Sequence, residues 1–138
     1  MNTLLIVLAL LVATPADAGS LGNVLNERGS PAYDTSVLDK MSLKEKAFLR
    51  ILLIEFVYEC NGKQSRLMPN LIAAHSKIDA AIVPILSAAR SGGEPKSLGQ
   101  VKAGENAAQA SIARNGTALC KPTAEWLTNN IPPSENKN

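Results

Sequence analysis

A chain of 138 residues with 14 Lys and Arg against 12 Asp and Glu carries a formal charge of +2. That charge is too mild and too evenly spread to mark a binder of nucleic acid or of an anionic membrane surface. The aromatic residues, Tyr33, Phe48, Phe56, Tyr58 and Trp126, are too scarce for base-stacking platforms or sugar-binding shelves.

The first element is an apolar run at residues 4–12, preceded by a short polar stretch and followed by Ala16-Asp17-Ala18, a small-x-small cleavage pattern. The run is too short to span a bilayer and has the length of a signal-peptide core, although no Lys or Arg precedes it. It predicts export to a periplasmic or extracellular compartment, with residues 1–18 removed. The mature chain then holds 14 basic and 11 acidic side chains, a net of +3, in a length that suits one domain. No second apolar stretch nears about 20 residues, so no stable membrane insertion is expected after cleavage.

Residues 19–35, rich in Gly, Ser, Asn and Pro, read as a flexible lead-in to a helical domain at residues 36–128. Residues 37–41 add one short helical turn. Ser42-Leu43-Lys44-Glu45 has capping-box spacing and opens a helix that runs to about Cys60, where Asn61-Gly62 stops it. Its apolar residues fall on two opposite faces: Leu49, Leu52, Leu53, Phe56 and Cys60 on one, Ala47, Ile51, Ile54 and Tyr58 on the other. Lys46/Arg50 and Glu55/Glu59 form the narrow polar edges between them. A helix apolar on both sides must be covered on both, which places it at the centre of a bundle.

A second helix begins near residues 65–70 and ends at Arg90, with Pro84 expected to kink or divide it. A third, at residues 97–115, is weakened by Gly99 and Gly104 but carries small alanines suited to close helix contact. A short last helix follows Pro122 and carries Trp126 and Leu127; residues 129–138 read as a disordered polar tail. The fold class is therefore all-α, a compact bundle of four or five helices around one hydrophobic helix.

Cys60 and Cys120 are an even pair in a chain predicted to be exported, where oxidising conditions favour a disulfide. Closing a loop of about 60 residues stabilises a fold by roughly 4 kcal/mol in the chain-entropy model. Two thiols with one distant His make a poor zinc set, so no metal is expected and no cofactor is implied.

Glu55 and Glu59 stand at i, i+4, close enough for an acid/nucleophile pair of the glycosidase kind if one has a raised pKa; the plainer reading is a solvated polar seam. Glu105 interrupts the stripe of Val101, Ala108 and Ile112, which asks for a marginal position or a partner such as Lys63, Arg66 or Lys77. His75, the single histidine, reads as a boundary residue. Asn115-Gly116-Thr117 matches the glycosylation acceptor pattern, and its Asn-Gly turn has a sufficient structural reason. Trp126, six residues after Cys120, either closes the core or anchors a partner. There is no nucleophile elbow, phosphate loop, HExxH or EF-hand spacing.

The leading expectation is an exported helical binding module acting on an unidentified protein partner, of the inhibitor or immunity type. Its binding residues would be drawn from Trp126, Glu55, Glu59 and Glu105, with no catalytic residue. The alternatives are a cell-wall hydrolase using Glu55/Glu59 and a carrier of a small apolar ligand.

Overall fold

Among the described residues four α-helices follow one another: α1 (Leu43–Glu59), α2 (Met68–Arg90), α3 (Leu98–Asn115) and α4 (Cys120–Asn130). Short 3-10 turns lie at Ser36–Lys40, Gly62–Gln64 and Gly116–Leu119. The last of these joins α3 to α4 without a break, so the bundle also reads as three rods, the third one jointed. The computed structural model describes residues 32–134; the expected signal peptide and most of the expected lead-in lie outside them. The fold is all-α, and Cys60 and Cys120 are joined in a disulfide across a Cα–Cα distance of 5.5 Å.

α1 starts where its sequence dictates. Ser42 Oγ accepts a hydrogen bond from the Glu45 backbone N–H at 3.1 Å, and Glu45 Oε1 accepts from the Ser42 N–H at 3.0 Å. Both orphan donors of the first turn are thereby satisfied. At the other end Asn61 takes the left-handed conformation, φ 56°. Gly62 then folds tightly back on α1, and a Cβ there would lie 2.7 Å from the Val57 Cα.

Both apolar faces of α1 are covered. Leu49, Leu53, Phe56 and Val57 pack in one cluster with Leu71, Ala74, Ile78 and Ile82 of α2 and Leu127 of α4. Ile51 and Ile54 are equally buried apart from that cluster, as is Ala108 of α3. α3 lies against the start of α1 through Gly104, where a Cβ would overlap the Lys44 carbonyl oxygen and come within 2.9 Å of the Ala47 Cβ. The glycine that weakens α3 as an isolated helix is what lets it reach α1.

Three expectations need correction. Pro84 does not divide α2, which runs unbroken from Met68 to Arg90. Pro84 and Ala80, whose carbonyl loses its partner to the proline, are both exposed, so water can serve that carbonyl. α2 is also long and apolar enough, by length and composition, to cross a membrane, which the hydropathy reading missed. Here it carries Asn70, bonded through Nδ2 to the Ile131 carbonyl at 2.8 Å, and Asp79, paired with Arg50 of α1.

The third correction concerns the ends. α4 begins at Cys120, with Pro122 accommodated in its first turn, and extends to Asn130. Ile131 is fully buried, and residues 132–134 lie against residues 32–34 through an antiparallel bridge between Tyr33 and Pro133. Asp34 N–H donates to the Pro132 carbonyl at 2.8 Å and Ser134 N–H to that of Ala32 at 2.6 Å. The folded unit thus takes in residues assigned from sequence to the lead-in and tail, because one apolar side chain and a pair of prolines without N–H donors sit comfortably at a core margin.

Leu53 and Ile54 are both fully buried on opposite faces. Leu53→Ala and Ile54→Ala are each expected to cost about 2–5 kcal/mol in urea melts; a one-faced helix would leave one of them nearly silent. Gly104→Ala should destabilise although alanine favours helix by about 1 kcal/mol, whereas Gly99→Ala, with open space around it, should be neutral or stabilising.

Candidate functional site

A concave feature of the described surface is an open groove of about 540 Å³. Its floor is a strip of α1 (Lys44, Glu45, Phe48, Leu49 and Leu52), with Met41 just before it. One wall is Gly104 and Ala107 of α3, and the other is Leu119, Pro122, Thr123 and Trp126 at the start of α4. The volume falls within the range of sites that bind small molecules or single side-chain clusters. The Cys60–Cys120 bond fixes the α4 wall, since Leu119 and Pro122 flank the bridged Cys120 closely.

Trp126 packs against the core cluster and also lines the groove. Phe48 and Leu52 of the floor were legible only as apolar residues of the central helix. Both are only partly covered and line the groove, which depends on tertiary packing.

Charge marks one end of the groove. The Glu45 carboxylate is held by the Ser42 N–H, which keeps its pKa below the ordinary Glu value. Lys44 has no ion-pair partner among the described residues, whose ion pairs are Arg50–Asp79 and Lys77–Asp39.

Glu55 and Glu59 stand elsewhere on α1 and do not line the groove. Glu55 is half-buried, and its pKa is raised by desolvation first and by the Glu59 charge second. Glu105 is half-buried on α3 with no ion-pair partner among the described residues. Two of its candidate partners are engaged elsewhere, Lys77 with Asp39 at 3.4 Å and Lys63 over the Tyr58 ring at 5.0 Å. Asn115 is exposed, and its Nδ2 donates to the Ser111 carbonyl.

A polar cluster escaped the sequence reading. Arg50, assigned from sequence to a narrow polar edge of α1, is buried, and its Nε donates to Asp79 Oδ1 at 2.6 Å. His75 Nδ1 lies 3.3 Å from Asp79 Oδ2 one turn away. Burial pushes the His75 pKa down; Asp79 opposes that shift and Arg50 reinforces it. Arg50 Nη1 and Nη2 and His75 Nε2 are buried without a hydrogen bond among the described residues. The Arg50–Asp79 pair joins α1 to α2, His75 flanks the same carboxylate from within α2, and none of the three lines the groove. The i, i+4 spacing of His75 and Asp79 was the available signal. No group of His, Cys, Asp and Glu suited to a metal occurs among the described residues.

Breaking a buried ion pair leaves an uncompensated charge, so Asp79→Ala should cost about 3–5 kcal/mol. Replacing both partners, Arg50→Met with Asp79→Leu, should be near neutral or stabilising in the same urea melts. The lowered His75 pKa carries a definite sign. Stability from keeping His75 neutral is complete above its unfolded value near 6.5 and drains away as pH falls below it. Melts of the wild type between pH 7.5 and about 5 should therefore lose stability that His75→Gln, compared over the same range, does not lose.

Comparison with known proteins finds no matching family model, no matching curated protein and no matching solved structure.

Proposed function

We propose that this chain is an exported binding module without catalytic chemistry of its own, acting by seating apolar side chains of a protein partner in the groove between α1, α3 and α4. One observation carries the reading: a stapled, well-packed helical core leaves Phe48, Leu52, Leu119 and Trp126 around an open apolar trough. Soluble domains bury such groups when nothing else covers them, and Trp is enriched at the centres of protein interfaces. The disulfide and the apolar run at residues 4–12 support export to an oxidising compartment. The groove volume also supports the carrier reading, in which a small apolar ligand takes the place of the partner's side chains. The hydrolase reading has less support, because Glu55 and Glu59 lie outside the trough.

A filled groove separates binding from folding better than a truncated one. Ala107→Leu should place extra side chain in the trough, leave the thermal midpoint within a few degrees, and abolish capture of the partner in pull-downs from the native envelope or secretion fraction. Trp126→Ala should weaken the same capture by about 2 kcal/mol or more, with far-UV circular dichroism confirming the fold. Glu55→Gln and Glu59→Gln should change neither capture nor any activity that follows it; loss of either function in a folded Gln variant would restore the enzyme reading. Intact mass of the secreted protein, alkylated without reduction, should show a chain beginning at Gly19 with no free thiol.

A further inference from the structure

We infer that the Cys60–Cys120 bond is a reducible latch: its cleavage by a dithiol frees the corner between α3 and α4, residues 109–122, and with it the Leu119 and Pro122 wall of the groove, while the rest of the bundle stays folded. The inference goes beyond the binding reading and is tested without a partner.

The corner has little else to hold it. No side chain in residues 109–122 is buried, whereas Ala108 just before them and Thr123 just after them both are. Ile112 and Leu119, the half-buried aliphatic side chains of the corner, lie outside the core cluster. Its one hydrogen-bonding side chain, Asn115, bonds to Ser111, and its backbone bonds stay within α3, the Gly116–Leu119 turn and α4. No ion pair among the described residues reaches it. The disulfide is thus the covalent tie of the corner to α1, and no buried side chain doubles it. Segments with few buried contacts are the ones that open while a core persists.

The two sides of the bond are unequal. Cys60 follows α1 directly, its N–H donating to the Phe56 carbonyl at 3.1 Å, and Gly62 beyond it is buried against Val57. Cys60 therefore stays in place when the bond breaks, and Cys120 moves. The motion has limits at both ends. Val101, Gly104 and Ala108 are buried and hold α3 before the corner. After it Thr123, Leu127 and Ile131 are buried, and the Asn70 bond to the Ile131 carbonyl fixes the far end of α4.

The bond is also within reach of a reductant. Both cysteines are half-buried, with Glu59, Asn61 and Lys121 exposed beside them. Exposed disulfides are the labile ones. A dithiol's thiolate attacks one sulfur, breaking the S–S bond and forming a mixed disulfide, and its second thiol then displaces the protein thiolate. Two electrons and two protons pass to Cys60 and Cys120, and the reductant leaves as its own disulfide.

The test uses the disulfide-intact mature protein, dithiothreitol as the dithiol, iodoacetamide to cap the freed thiols, and limited digestion with trypsin. Arg114 is the tryptic site of the corner, because Lys121 precedes Pro122 and is not cut. Lys102, exposed on the stretch of α3 held by Val101 and Gly104, reports on the rest of the fold. Dithiothreitol should reduce the bond without denaturant, and cleavage after Arg114 should then rise at least about tenfold relative to cleavage after Lys102. Cys60→Ala with Cys120→Ala should reproduce the reduced pattern with no reductant present, and far-UV circular dichroism should keep most of its helical signal.

A bond that dithiothreitol reduces only in urea overturns the latch. So does a reduced or Ala-substituted protein cut after Arg114 no faster than the oxidised one, since packing then holds the corner. Cleavage after Lys102 rising in step with that after Arg114 shows the bond holding the whole fold rather than its corner, and rejects the inference too. What the groove binds is decided separately, by the pull-downs with Ala107→Leu and Trp126→Ala.

Discussion

The fold is governed by one helix that is buried on two opposite sides and open along the strip that floors the groove. α1 carries large aliphatic side chains on opposite sides, and both sets are buried. Each such side chain contributes roughly 1.5–3 kcal/mol when removed from water, so neither side can be left open. α2 and α4 close one side. α3 lies against the start of α1, which requires Gly104 at the contact because any Cβ would strike the Lys44 carbonyl. The disulfide then joins the end of α1 to the start of α4, so the last helix is held by a covalent bond as well as by Leu127 and Ile131.

Covering both faces has an electrostatic consequence. The edge between them is narrow, and a helix packed along each side closes over part of it. Arg50 is on that edge and is shut in, while Glu59, on the opposite edge, is exposed. A guanidinium out of water needs a carboxylate, and Asp79 of α2 supplies it. Such a pair adds little net stability relative to apolar residues of the same volume, but it penalises misregistered packing of α1 on α2, since any slip strands a charge. His75 shares the same carboxylate and is kept neutral by its burial.

The legible part of this structure was local or covalent. Ser42 and Glu45 announce the start of α1, Asn61-Gly62 its end, and the apolar residues of α1 announce its central position. The cysteine pair had only one possible connectivity. The misread part depended on which edge a neighbour covers. Arg50 and Lys46 look alike in sequence, yet one is enclosed and the other is not. Pro84 looks like a break because sequence does not say that it and Ala80 are exposed. Ile131 looks like tail because its neighbours are polar or proline, although its burial and the Asn70 bond to its carbonyl make it a plug. The groove was invisible for a further reason: its floor, walls and rim come from three helices and the turns beside them, so no window of sequence contains it.

The same small residues that make the core possible also make the trough. Gly104 brings α3 close to the start of α1, and with Ala107 it leaves the wall too low to cover Phe48 and Leu52. A larger residue at Gly104 would separate the helices, so the core contact itself forbids filling the groove from that position. Ala107 is different, because its side chain faces the trough and the Gly104 contact does not depend on it. An uncovered apolar strip lowers stability by the burial it forgoes, and a larger residue at Ala107 would recover part of that. Packing at Gly104 and openness at Ala107 are thus separable. The first is imposed by the double-sided burial of α1; the second is left free by it, and that freedom is where recognition can be built on a fold whose core admits little change.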